Sequence, residues 1–391
     1  MAERMPSSAS SEESWPVPSE DPVASLLIEK GCCHVLFAYD IGASVNLDEA
    51  DRRITAMKER ARIRHKLRAP AHLEYRPAPL RITQETAPIK LWHYATLPSV
   101  ELMLYDFGAL SVTYKVPIEG PFAGLLGLSE ALYDNQQLLA DSRQWVEQLV
   151  AALGDAVEKP GVAAEVEDYA IVHIEASNAR NGGFLWRTFE QELAQILRCE
   201  RALLSEQEVR DAMACRISFS PEDIAIVDWN AAFLFGSEME DVRAVVEFAN
   251  VELLEMRLLD HQLDHALDQA YEALAKKQWS RWPLPGSYET GSTRIAELQV
   301  DSAILFERVT NTLKLLGDQY LARVYRLISQ RFHLEEWDAS ILRKLQTLDS
   351  IYDKMTHRAS NSRMEMIEWI IVILITISIV ISFLPIGAGP P

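Results

Sequence analysis

Asp241-Val-Arg-Ala-Val-Val-Glu-Phe-Ala-Asn250-Val-Glu-Leu-Leu-Glu-Met-Arg-Leu-Leu-Asp260-His-Gln-Leu263 is the stretch that divides this chain. Its positions Val242, Val246, Ala249, Leu253, Met256, Asp260 and Leu263 step by four and three, and Leu267, Ala270 and Leu274 continue the series. That spacing puts every one of them on a single helical face. It predicts one helix of about 40 residues, roughly 60 Å long, packing in coiled-coil fashion. Asp260 is the one polar member of the seam; it lowers stability and can fix register. Val246, Leu253 and Leu263 are expected to drive bundle packing or homo-oligomerisation.

Downstream, Trp279-Ser-Arg-Trp282-Pro-Leu-Pro285-Gly286 stops that helix, because proline removes an N–H donor and clashes with the preceding turn. A second long helix is predicted from about Arg294 to Arg331. A third begins near Leu334, with a stripe through Ile341, Leu345, Leu348, Tyr352 and Met355. Short connections favour antiparallel neighbours, so residues 237–366 read as a helical stalk. The third helix runs on into Trp369-Ile-Ile-Val-Ile-Leu-Ile-Thr-Ile-Ser-Ile-Val-Ile-Ser-Phe-Leu-Pro385-Ile386, which carries no charge. About 20 such residues suffice to cross a bilayer core, so 367–386 is expected to be a transmembrane helix, with 387–391 as a short tail. Lys354, Arg358 and Arg363 precede the run, and the positive-inside rule then puts the bulk of the chain in the cytoplasm. The expected location is the plasma (inner) membrane in preference to the mitochondrial inner membrane. Glu368, Trp369, Trp279 and Trp282 are the residues expected at the membrane interface, and Ser378 and Ser382 could pack a helix contact.

Upstream of the seam the pattern is mixed. Residues 1–22 are rich in Ser, Pro and Glu and read as a disordered leader without the apolar core of a signal peptide. From 23 to 236 short apolar runs alternate with helical periodicity. Cys33–Tyr39, bounded by Gly31 and Gly42, reads as a buried strand. A helix capped by Asn46 or Asp48 follows, then a strand within 72–84 and a hairpin, Val100–Tyr105 and Ala109–Val116, turning at Asp106-Phe107-Gly108. A helix over 125–153, a strand at Tyr169–Glu175, helices at 184–199 and 205–213, and strands at 215–219 and 224–235 complete an α+β head. The order suggests a mixed sheet with helices on one face.

The chain has 391 residues, 48% of them hydrophobic, and a net charge of −19. An acidic body repels phosphate backbones, so specific DNA binding is not expected. The four cysteines lack metal-ligand spacing and read as reduced thiols. A basic run, Arg52 to Arg68, stands out. Arg53, Arg60 and Arg64 share a helical face there, which suggests docking to an anionic partner such as RNA, a ribosome or lipid. His261, His265 and Asp268, at i, i+4 and i+7, form a weak candidate metal face lacking further nearby ligands. No phosphate-binding loop, dinucleotide fingerprint, nucleophile elbow or His-Glu-x-x-His helix is present. No catalytic residue and no cofactor is implied.

An α+β head, long helices ending near Arg331 and the sequence Met366-Ile-Glu368-Trp369-Ile370-Ile371 resemble the required-for-meiotic-nuclear-division family and its bacterial relatives. The resemblance spans roughly 169–384. It implies a membrane-anchored, self-associating protein without established catalytic activity. The expected function is therefore a non-catalytic scaffold, with the lipid bilayer and a second copy as partners. The alternatives are an oligomeric transport component resembling CorA-type channels, whose Gly-Met-Asn signature and second span are missing here, and an enzyme of unknown chemistry.

Overall fold

The structure, a computed structural model, describes residues 26–58, 78–179, 181–277, 300 and 319–383. Its centre is the strand β1 (Leu27–Asp40), longer than the expected run. Gly31 lies within this strand instead of bounding it. A Cβ there would sit 2.7 Å from the His173 carbonyl oxygen, so the neighbouring backbone approaches where only glycine fits. After β2 (Ser44–Val45) comes α1 (Leu47–Lys58), then β3 (Leu80–Glu85), β4 (Lys90–Leu91), β5 (Tyr94–Ala95), β6 (Ser99–Leu104) and β7 (Ala109–Pro121). The β6–β7 hairpin turns as its sequence predicts. Gly108 takes φ +94 there, and a Cβ would collide with the Gly42 carbonyl oxygen at 1.8 Å.

The helix expected over 125–153 is two helices, α2 (Gly124–Leu132) and α3 (Gln136–Leu153). Asp134 adopts the left-handed conformation at φ 47, and the Asn135 side chain accepts the Leu138 N–H at 2.9 Å as the cap of α3. Next are β8 (Val157–Glu158), β9 (Glu167–Ser177), α4 (Gly182–Thr188), α5 (Glu190–Arg198), α6 (Glu206–Ala212), β10 (Arg216–Ile217), β11 (Ile224–Val227) and β12 (Ala231–Phe235). Eight strands form one sheet in the order β10-β11-β12-β9-β1-β7-β6-β3, with β12 and β9 parallel and the other neighbours antiparallel.

Alternation along β1 assigns the two faces. Cys33, Val35, Phe37 and Tyr39 point into a core closed by α1 to α6, whereas Leu36 and Ala38 point into a second core. The second core is covered by α7 (Glu240–Lys277), α8 (Gln319–Arg331) and α9 (Leu334–Phe383). Helices therefore cover both faces, not one. The sheet is apolar on both sides and needs two covers. The predicted seam is buried: Val246, Ala249, Leu253, Met256 and Leu263 on α7 pack with Ile341, Leu345 and Leu348 on α9. The same cluster takes in Ile171 and Leu234 of the sheet, so the first half of α7 lies on the head and does not stand clear of it. Asp260 is satisfied within the seam by the Lys344 ammonium at 2.7 Å.

One expectation is corrected outright. Among the described residues no helix is long and apolar enough to cross a membrane. Helix α9 spans 334–383, but its seam region is amphipathic. The first part of α9 is committed instead to packing, with Ile341, Leu345 and Leu348 buried in the same core as α7. The transmembrane helix at 367–386, the tail anchor and the plasma-membrane location are not supported. The side chains of Glu368 and Trp369, and Trp279 and Trp282 altogether, lie outside the described residues, as does the second helix before Gln319 apart from Val300.

Candidate functional site

The most highly organised polar region is the junction where the long helices meet the sheet. Hairpin β11–β12 turns through Asp228-Trp229-Asn230, and Asp228 is 1% exposed. A buried carboxylate must be paired or neutralised. Two arginines pair this one. The Arg331 Nε at the end of α8 donates to Asp228 Oδ1 at 2.9 Å, and the Arg198 Nε at the end of α5 donates to Oδ2 at 3.0 Å. Both guanidinium groups reach on to Asp211 of α6, and Arg198 also pairs with Glu208. The hydrogen bond from Arg331 holds the Asp211 carboxyl below the usual range. Trp229 stacks on His333 with ring centroids 5.0 Å apart, and the Arg331 guanidinium lies 5.4 Å from the Trp229 ring centre. The Tyr169 hydroxyl donates to the Asp228 carbonyl at 2.8 Å. The turn thus clamps α5, α6 and α8 together.

A second buried pair fixes the start of α7. Arg243, 1% exposed, donates from Nη1 to Glu247 Oε2 at 3.0 Å and from Nε to Glu240 Oε2 at 3.0 Å. Ser111 of β7 donates to Glu247 Oε1 at 3.0 Å, tying helix to sheet. Beside them His34 is buried; desolvation and the positive charges of Arg243 and Lys115 keep its imidazole well below its ordinary pKa, and so neutral. Between α7, α8 and α9 the Tyr325 hydroxyl donates to Glu252 at 2.6 Å. Burial pushes Glu252 up to about 8 and Asp338, on the facing helix, up to about 6.

The sites proposed from sequence are dispersed. His261 is exposed with Glu165 at 3.8 Å, and the His265 ring meets Gln269 at 3.1 Å. Among the described residues no group of three or more His, Cys, Asp or Glu could hold a metal. Arg53 turns inward to Glu49 at 3.0 Å and to the Leu153 carbonyl at 2.7 Å, while Arg60 and Arg64 lie outside the described residues. Sequence reading singled out Arg331 only as a landmark and missed Asp228, Arg198 and the Arg243–Glu247 pair. The available signal was Arg243 and Glu247, an i, i+4 pair inside an otherwise apolar run.

A family model described as the N-terminal domain of the uncharacterized protein MJ0711 matches residues 30–241. The chain belongs to this family. The uncharacterized protein MJ0711 of Methanocaldococcus jannaschii is 22% identical over 200 residues, which cover 49% of this chain and 58% of the relative. The match thus spans little more than half of that protein's length. No solved structure matches the chain significantly. The expected membership of the required-for-meiotic-nuclear-division family, as a bacterial protein, is corrected by this match to an archaeal relative. Its motif residues, Arg331 and Met366–Ile371, lie beyond the matched region, so they had no bearing on the domain that defines the MJ0711 family. That domain holds β1 to β12, including Asp228, Arg198 and Asp211. The Arg331 that completes the clamp comes from helices outside it.

Proposed function

We propose that the chain is a non-catalytic interaction scaffold that self-associates through the distal part of α9. One observation carries this reading: Ile371, Val372, Ile373, Leu374 and Ile375 are consecutive on a helix and each is about half exposed, from 49% to 59%. Five successive apolar residues encircle a helix, and a helix apolar all round is stable in water only when covered. The earlier seam of α9 is already occupied by α7, so Val246, Leu253, Leu263, Leu345 and Leu348 serve packing within one chain. A second copy offers the same apolar segment and can pair with it symmetrically. The clamped head and bundle would then present this arm in a defined direction.

Light scattering of the full chain at micromolar concentration tests the reading. The expected result is a dimer or larger assembly, and an Ile371→Lys, Leu374→Lys double variant is expected to be monomeric with unchanged helical content. A monomeric parent chain would overturn the proposal.

A further inference from the structure

The sheet face away from α7 holds a cavity of about 380 Å³. Its floor is a cross-strand row. Val35 of β1 pairs with Ala170 of β9, which pairs in turn with Ala231 of β12. Neighbouring floor positions carry the larger Phe37, Val172 and Phe233, so two adjacent alanines leave space that their neighbours would fill. Leu125 and Leu128 of α2 and Ile196 and Leu197 of α5 line the cavity above this floor. The body of the cavity is apolar, of a size that suits a small ligand.

Polar groups gather at the rim, and most are committed. Ser129 donates to the Ile196 carbonyl at 2.7 Å, and Asn135 donates to the Ala131 carbonyl at 2.7 Å while capping α3. Arg198 borders the cavity but is held by Asp228, Asp211 and Glu208, so it offers no net positive field. Asp168 remains, together with Asp134, whose Oδ1 accepts from the Gln136 side chain at 2.6 Å and whose other oxygen stays available. Asp168 reaches solvent, yet the concave rim desolvates its carboxyl and, with Asp134 adding to the effect, raises it above the ordinary range. Arg257, paired with the adjacent Glu167, partly offsets this effect from a distance, and among the described residues no lysine or arginine pairs directly with Asp168.

We propose that this cavity is a binding site for a small apolar amine, its ammonium group held by Asp168 and Asp134 and its hydrocarbon lying over Ala170 and Ala231. An anionic head of the same shape would face two carboxylates of like charge and be disfavoured.

Isothermal titration of the full chain with phenethylamine and with phenylacetate, similar in shape and opposite in charge, tests this. Phenethylamine is expected to bind saturably and at least about tenfold tighter than phenylacetate. Asp168→Asn should abolish that preference while leaving the urea midpoint unchanged, and Ala170→Leu should abolish binding by filling the floor. Equal affinity for the two compounds overturns the proposal. So does an amine affinity unchanged in Asp168→Asn, or the absence of saturable binding by both phenethylamine and hexylamine. Asp168 sits at the rim, so its variant decides the matter even if the leucine variant fails to fold.

Discussion

Arg331 and Asp228, 103 residues apart, form a buried ion pair that joins the last turn of α8 to the β11–β12 turn. Arg198 bonds the other oxygen of the same carboxylate from the opposite helical layer. Asp228 is therefore a buried side chain that both covers of the sheet share, with the more exposed Asp211 bridging the same two arginines at the rim. Removing it leaves two guanidinium groups without their central partner in a dry site, whereas removing Arg331 leaves Arg198 still in place.

Asp228→Ala is accordingly expected to destabilise the fold by about 3–5 kcal/mol, the cost of breaking a buried pair from one side. Arg331→Leu should cost less, because Arg198 continues to neutralise the carboxylate. Urea denaturation of the two variants compares them. Equal losses would mean that the two arginines do not share the load as their geometry implies.

Glu252 predicts a pH dependence. Its carboxyl is raised from an ordinary 4.5 to about 8, chiefly by burial, so the folded state holds a proton that the unfolded chain releases. The stability tied to that proton is fully present below about 4.5 and is lost as pH rises through about 8. Glu252→Gln stays neutral and can keep a hydrogen bond with Tyr325. It should match the parent chain near pH 4.5 and exceed it at pH 9 by several kcal/mol, on the order of 5. Thermal melts across that window check the sign, and a variant less stable at high pH would contradict it.

Leu263 is fully buried in the seam between α7 and its neighbours. Leu263→Ala should cost about 2–5 kcal/mol through lost transfer energy and a residual cavity. Leu342, exposed on the other side of α9, should tolerate alanine within about 0.5 kcal/mol. The contrast separates seam packing from helix propensity, since both changes place alanine in a helix.

Glu247 links Arg243 to Ser111. Glu247→Gln keeps the shape but removes the buried half of the pair, leaving Arg243 to the partly exposed Glu240 and the more distant Glu101, so a loss of about 3 kcal/mol is expected. Ser111→Ala removes a single hydrogen bond and should cost about 1 kcal/mol. Hydrogen exchange along the first turns of α7 should accelerate in the first variant and change little in the second.

Much of the architecture was legible in the chain itself. The four-and-three spacing from Val242 to Ala270 defined α7 and its buried face, because helical geometry converts spacing directly into a side. The Asp106-Phe107-Gly108 turn likewise defined the β6–β7 hairpin, since the turn needs a residue free of Cβ. The split between α2 and α3 was less visible. Asp134 and Asn135 signal a break only once the left-handed φ and the cap are known, and the apolar period on either side conceals it.

What covers each apolar surface was decided by tertiary structure alone. Periodicity says that α7 has an apolar face but not that the sheet takes its first half and α9 the remainder. An uncharged run at 370–386 reads from sequence as a membrane span, because composition reports the preference for leaving water and not what covers the run. Asp228 looked like a turn residue. It became the shared anchor of two helical layers because the fold brings Arg198 and Arg331 to one point. Ala170 and Ala231 are unremarkable alone, and they form a cavity floor only because strand pairing sets them side by side. Local sequence thus determined which faces avoid water and where the chain turns. Three-dimensional packing determined which charges meet and where space remains, since both depend on residues a hundred positions apart.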